Sequence, residues 1–151
     1  MATRHALMSV SFWLMFFACS STLADEPALV VAADDAQLEW GPCPDFIPAG
    51  CEIAVLHGDP AIPNVDILFK VPGDFTIPDH WHTSAERMIL LSGELHVTYE
   101  GQETAIVEVG SYAYGPAERP HEAYCLPGDA CVLFIAFEAP LDAYPIGQQA
   151  K

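Results

Sequence analysis

Residues 73–93 read GDFTIPDHWHTSAERMILLSG, and three side chains in that stretch, His80, His82 and Glu86, decide how the rest of the chain is read. In an extended strand, residues two apart share a face and lie about 6.5–7 Å apart, so His80 and His82 turn their imidazoles toward one point while Trp81 faces away. Glu86 keeps the same parity beyond a short Thr83-Ser84-Ala85 connection. Arg87-Met88-Ile89 starts a strand expected to run back beside the first as a hairpin, carrying the Glu86 carboxylate to the same cation. Further on, Gly110 to Pro116 leads through Ala117-Glu118-Arg119-Pro120 to His121, a third histidine at the start of a strand. Three imidazoles and one carboxylate form a nitrogen/oxygen donor set with room for water or substrate. Such a set suits one divalent transition ion, Fe, Mn, Ni, Cu or Zn, rather than Ca or Mg, and the donor list does not choose among the five.

Outward from this stretch the chain is a series of short apolar or alternating runs punctuated by Gly, Pro and Asp, an all-β pattern. Strands are predicted at Gln37–Trp40, Glu52–Leu56, Asp66–Val71, Arg87–Leu91, Glu94–Tyr99, Ala105–Val109, Ser111–Tyr114 and Val132–Glu138. Leu91-Ser92-Gly93-Glu94, Glu100-Gly101-Gln102 and Pro127-Gly128-Asp129 carry turn chemistry, so successive hairpins are expected. With so many short strands, a closed or nearly closed antiparallel barrel or jelly roll protects the edges best. No internal repeat or linker interrupts it.

These residues resemble the cupin superfamily. Its first motif has the form G-x5-HxH-x3,4-E-x6-G, matched by Gly73, His80, His82, Glu86 and Gly93, with the first glycine one residue early. Its second, G-x5-PxG-x2-H-x3-N, is matched at Gly110, Pro116 and His121, while Glu118 stands for the second glycine and Cys125 for the asparagine. The resemblance covers roughly Trp40 to Ala139. It implies a double-stranded β-helix (jelly-roll) barrel, all four metal-ligand positions filled by His80, His82, Glu86 and His121, and a homodimer. The departures fall in turn and flanking positions, where they bear on the local backbone.

The N-terminus reads as an export signal: Arg4 and His5, an apolar stretch from Ala6 to Ala18, then small residues ending in Thr22-Leu23-Ala24. Cleavage after Ala24 leaves one cupin domain at 25–151, periplasmic or secreted. The apolar run is short for a membrane span, which needs about 20 residues. Lipoprotein processing at Cys19 is the competing reading. Four cysteines remain, and low closure entropy favours the local bridges Cys43–Cys51 and Cys125–Cys131 over the other pairings. Against 21 Asp and Glu the chain sets 5 Lys and Arg, a formal charge of −16 that excludes ordinary nucleic-acid binding and repels anionic membranes.

Parity places Met88 and Leu90 inward with Glu86, and Ala123 with His121. His57 and His96 belong to neither motif and read as structural; Tyr99, Tyr112 and Tyr114 are offered as hydroxyls without a catalytic role. Cys125 shares parity with His121 but lies about 13 Å along the strand, too far to share its ion. No general base stands out, so metal-centred chemistry on a small oxygen-rich organic molecule is the leading expectation, dioxygenase-like in type. The alternative is a non-catalytic module that binds a small ligand or the metal itself.

Overall fold

A computed structural model describes residues 26–150. The chain divides into residues 1–30 and 31–151; of the first unit only Glu26 to Val30 are described, exposed and without secondary structure, and all strands belong to the second. The export signal and Cys19 lie outside the described residues.

Among the described residues eleven strands run in chain order: β1 Trp40–Pro42, β2 Glu52–His57, β3 Val65–Val71, β4 Phe75–Trp81, β5 Glu86–Ser92, β6 Leu95–Tyr99, β7 Ala105–Val107, β8 Tyr112–Gly115, β9 His121–Cys125, β10 Cys131–Phe137 and β11 Tyr144–Pro145. They form two antiparallel sheets, ordered β1-β2-β3-β10-β5-β8 and β11-β4-β9-β6-β7. The described residues contain no helix. This is a jelly roll, with the core and a cavity between the sheets.

Alternation decides which side chains reach that interior. In β10, Cys131, Leu133, Ile135 and Phe137 are buried in strict period two. In β5 the same period turns Glu86, Met88 and Leu90 inward and Arg87, Ile89 and Leu91 outward. A one-residue slip would send the carboxylate to solvent, so burial of Met88 and Leu90 also fixes Glu86. Ile67, Leu68 and Leu90 are almost fully buried, each contributing about 1.5–3 kcal/mol to the fold.

The expected β4–β5 hairpin does not form. β4 pairs with β9 and β11, whereas β5 pairs with β10 and β8 in the other sheet. The connection at 83–85 crosses between sheets, and Ser84 ties it down: its hydroxyl oxygen accepts from the Glu138 and Ala139 amides at 2.8 and 3.0 Å, just past β10. Glu86 therefore reaches the histidines across the gap between sheets. The turns at Ser92-Gly93 and Pro127-Gly128-Asp129 likewise change sheets, so only some of the expected hairpins exist; β2–β3 and β6–β7 are among them. Both local cysteine pairs are bridged, Cys43 to Cys51 and Cys125 to Cys131. The second bridge joins β9, which carries His121, to β10 in the opposite sheet.

The departures from the cupin motifs resolve into backbone geometry. Asp74, which fills the position of the first motif glycine, and Glu118, which replaces the later one, both lie in the left-handed region, with φ 61° and 59°. Aspartate tolerates that conformation well, and the Asp74 carboxylate accepts the Tyr124 hydroxyl at 2.5 Å. Gly73 serves a different need, since a Cβ there would stand 2.5 Å from the Gly128 carbonyl oxygen. The exposed Glu118 bears a left-handed penalty of roughly 1–2 kcal/mol, while its amide donates to the His82 carbonyl at 2.8 Å. Glu118→Gly is expected to keep that bond and raise stability by up to about 1 kcal/mol, because added freedom in the unfolded chain offsets part of the relieved strain. A melting temperature a few degrees higher would confirm it; an unchanged or lower one would refute it.

Candidate metal centre

His80 lies near the end of β4, directly opposite His121 at the start of β9. His82 follows one residue beyond β4, and Glu86 opens β5. All four are buried, at 5, 7, 8 and 4% exposure for His80, His121, His82 and Glu86. One donor nitrogen from each of the three histidines lies within 4.8 Å of the other two, a group that can hold a metal ion. Across the gap, Glu86 Oε1 stands 3.3 Å from His82 Nε2 and Oε2 stands 3.5 Å from His121 Nε2.

Each ring is oriented by a backbone carbonyl. His80 Nδ1 donates to Pro78 at 2.7 Å, His121 Nδ1 to Arg119 at 3.1 Å, and His82 Nδ1 to Asp142. A carbonyl only accepts, so a hydrogen sits on each Nδ1, and a ring whose single hydrogen is there has its Nε2 lone pair for the interior. In β4 the ladder is irregular between Ile77 and His80, and Pro78 within it has no amide to donate. The residue that disturbs the strand is thus the one that aims His80.

Burial, then the neighbouring His121 and His82 rings, depress the His80 pKa to about 3. Burial also lowers His121, opposed by the Glu86 carboxylate. Both rings are therefore neutral at neutral pH, the form that offers a lone pair. An unfolded chain takes up protons on these histidines near pH 6.5, and the folded metal-free chain resists, at His80 until about pH 3. Across that window the unfolded state binds more protons, so stability falls as pH drops. The melting temperature of metal-stripped protein is expected to decline steadily from about pH 6.5 toward pH 4; a flat profile would contradict the buried, neutral assignment.

Do these residues suit a bound ion? His82 Nε2 and Glu86 Oε2 are buried and have no hydrogen-bond partner among the described residues. Buried polar atoms are rarely left so, because each forfeits its hydration. Three lone pairs and a carboxylate oxygen aimed at one another are what a transition ion requires and what proton donors within the protein do not supply. The donor set fits.

Around it lies a cavity of about 350 Å³, walled by both sheets, by the Pro42 to Ile47 segment and by Leu141 to Ala143. Met88 and Ala123 line it as their parity requires, whereas Leu90 is packed out of reach of it. Tyr99 lines it too, 4.9 Å from the His121 ring, and its buried hydroxyl has no partner among the described residues. Burial, with the Glu86 carboxylate adding to it, raises the Tyr99 pKa, so this hydroxyl remains a donor. Tyr112 and Tyr114 are exposed on edge strand β8. His96 faces outward, 2.9 Å from Glu94, and exposed His57 is also outside the cluster.

Two supporting residues escaped the sequence reading. Asp142 aims His82 through its carbonyl and accepts from the Thr83 amide and hydroxyl through its carboxylate, at 2.9 and 2.5 Å. It is 60 residues away in sequence, brought there as the C-terminal segment lies along β4, where Tyr144 stacks on Trp81 at 4.8 Å. Gly115 pairs with Glu86, and a Cβ there would meet the Tyr99 hydroxyl at 2.6 Å and Glu86 Oε2 at 3.0 Å. Neither belongs to a local spacing that names metal ligands, although Gly115 stands beside Pro116 of the second motif.

Residues 29–140 match the family model described as the ChrR cupin-like domain. No curated protein matches in sequence. Among solved structures, the dimethylsulfoniopropionate (DMSP) lyase DddQ from Ruegeria pomeroyi aligns with TM-score 0.63 at 14% identity, covering 76% of this chain and 64% of that one. The present chain thus spans less than two thirds of that lyase. The polyketide cyclase RemF from Streptomyces resistomycificus aligns with TM-score 0.63 at 18% identity, over 80% of this chain and 88% of that one. Oxalate decarboxylase from Bacillus subtilis, a protein with Mn(II) centres, aligns with TM-score 0.57 at 16% identity, over 67% and 29%. Likeness at these identities speaks for the fold alone.

Proposed function

We propose that this chain, which belongs to the ChrR cupin-like family, is a metal-dependent enzyme that acts on a small organic molecule in the cavity beside His80, His82, Glu86 and His121. One observation carries the reading: three rings held by carbonyls on Nδ1 present their free nitrogens to a common point beside a carboxylate with an unsatisfied oxygen. The four side chains would hold one divalent transition ion. When bound, such an ion supplies Lewis-acid polarisation and, if redox-active, electron transfer, and the reading adopted is dioxygenase-like.

The protein's own part is positioning and exclusion of water. Apolar walls strengthen each electrostatic contact inside the cavity, and the Tyr99 hydroxyl offers one hydrogen at its Glu86 end. No lining side chain has the setting of a general base, since the histidines and Glu86 belong to the donor set, the Asp142 carboxylate is engaged by the Thr83 amide and hydroxyl, and Tyr99 holds its proton. Chemistry centred on the ion follows; a binding module that performs no turnover draws on the same observation. The two disulfides suit an oxidising compartment, in keeping with export, and no helix among the described residues is long and apolar enough to cross a membrane.

The test is elemental analysis of protein purified without chelators, followed by oxygen-uptake and product assays with phenols, diols and organic acids. One transition ion per chain and turnover that disappears on metal removal are expected. A metal-free protein that takes up no ion would overturn the reading. Ligand-induced thermal stabilisation without product would leave the binding module.

A further inference from the structure

The charges around the cavity are one-sided. Its walls are apolar, with Ile67, Phe69 and Leu133 from one sheet facing Ile77, Leu95 and Val97 from the other, and no Lys or Arg is among the described residues that line it. The lining carboxylates are Glu86 and Asp142, and Asp142 is already engaged by Thr83. One further polar atom stands ready: the hydroxyl of Tyr99, a residue 7% exposed, has no partner among the described residues and lies where a Gly115 Cβ would touch both it and Glu86 Oε2.

We infer, resting on the metal-site reading above, that the cavity selects a small, mainly apolar molecule bearing at most one negative charge, whose oxygen at the Glu86 end accepts the Tyr99 hydroxyl hydrogen. A divalent ion with the Glu86 carboxylate and three neutral imidazoles carries a formal charge of +1. A monoanionic oxygen chelate neutralises it. A dianion such as a dicarboxylate leaves a net negative charge among apolar side chains with no cationic partner, a costly arrangement. Size agrees, since about 350 Å³ is near the lower end of ordinary ligand cavities. An oxygen anchored at Glu86 and Tyr99 leaves the apolar remainder of the ligand against aliphatic and aromatic walls, where burial favours it. The oxalate-type substrates of a fold neighbour would leave those walls unused.

Tropolone and oxalate form chelate rings of the same size but differ as the inference requires, one a monoanion on an apolar ring and the other a dianion without apolar surface. Both would be titrated calorimetrically into full-length protein loaded with zinc, retention of the ion being checked after desalting, and each affinity divided by that for free zinc. Tropolone is expected to be favoured at least tenfold on this normalised scale. Tyr99→Phe is expected to weaken tropolone about tenfold at unchanged metal content and melting temperature, as loss of a hydrogen bond to a charged oxygen does. Normalised preference for oxalate, or tropolone binding indifferent to Tyr99→Phe, would overturn the inference while leaving the metal site intact. Failure to take up zinc or any other transition ion would remove the site reading, and this inference with it.

Discussion

His82→Ala is expected to abolish stoichiometric metal, lowering affinity by more than about 100-fold, beyond the 10–100-fold typical when only a partner supporting a ligand is lost. His82 Nε2 is buried, lacks a hydrogen-bond partner among the described residues and stands 3.3 Å from Glu86 Oε1, so its removal deletes a donor and leaves the carboxylate facing a void. Stability should separate two roles for the side chain. If His82 holds an ion, wild type loses melting temperature on chelation and the variant does not respond to chelator. Equal metal content in wild type and variant, measured by elemental analysis, would refute ligation by His82. Thr83 and Asp142 remain bonded to each other in the variant, so the C-terminal segment should stay docked and the loss should be local.

Gly115→Ala is expected to lower metal affinity 10–100-fold without touching a ligand. The added methyl would lie 2.6 Å from the Tyr99 hydroxyl and 3.0 Å from Glu86 Oε2, inside contact distance for both. The tyrosine ring is confined beside His121, so the carboxylate yields more readily and moves from its place 3.5 Å from His121 Nε2. Overpacking should also cost about 1–3 kcal/mol of stability. Removing the hydroxyl as well, in Gly115→Ala with Tyr99→Phe, should restore part of the metal affinity, a coupling that a general folding defect would not produce. Additive effects of the two substitutions would show that the clash is not what displaces Glu86.

Part of the candidate site was legible because Glu86 and His121 follow the two-residue period of β structure. Glu86 and His121 sit on strands whose apolar neighbours declare which face is inward: β5 buries Met88 and Leu90 in step with Glu86, and β9 buries Ala123 and Cys125 in step with His121, whereas the irregularity between Ile77 and His80 puts His80 out of step with the buried Phe75 and Ile77. The local cysteine pairs were legible for a related reason, short loops making short closures. Strand ends were less so. β1 begins at Trp40 instead of ending there, β7 stops at Val107, and β11 carries no alternation to announce it.

The fold class, the candidates His80, His82, Glu86 and His121, and the inward Met88 and Ala123 could be read along the chain, because period-two burial and motif spacing are properties of a few neighbouring residues. How these side chains approach one another is a property of the folded chain. Glu86 approaches from the opposite sheet, His82 is aimed by the carbonyl of Asp142, and Gly115 keeps open the space that Tyr99 and Glu86 share. Sheet partnership and closure of the C-terminal segment depend on contacts between residues far apart in the chain, and no local period encodes those.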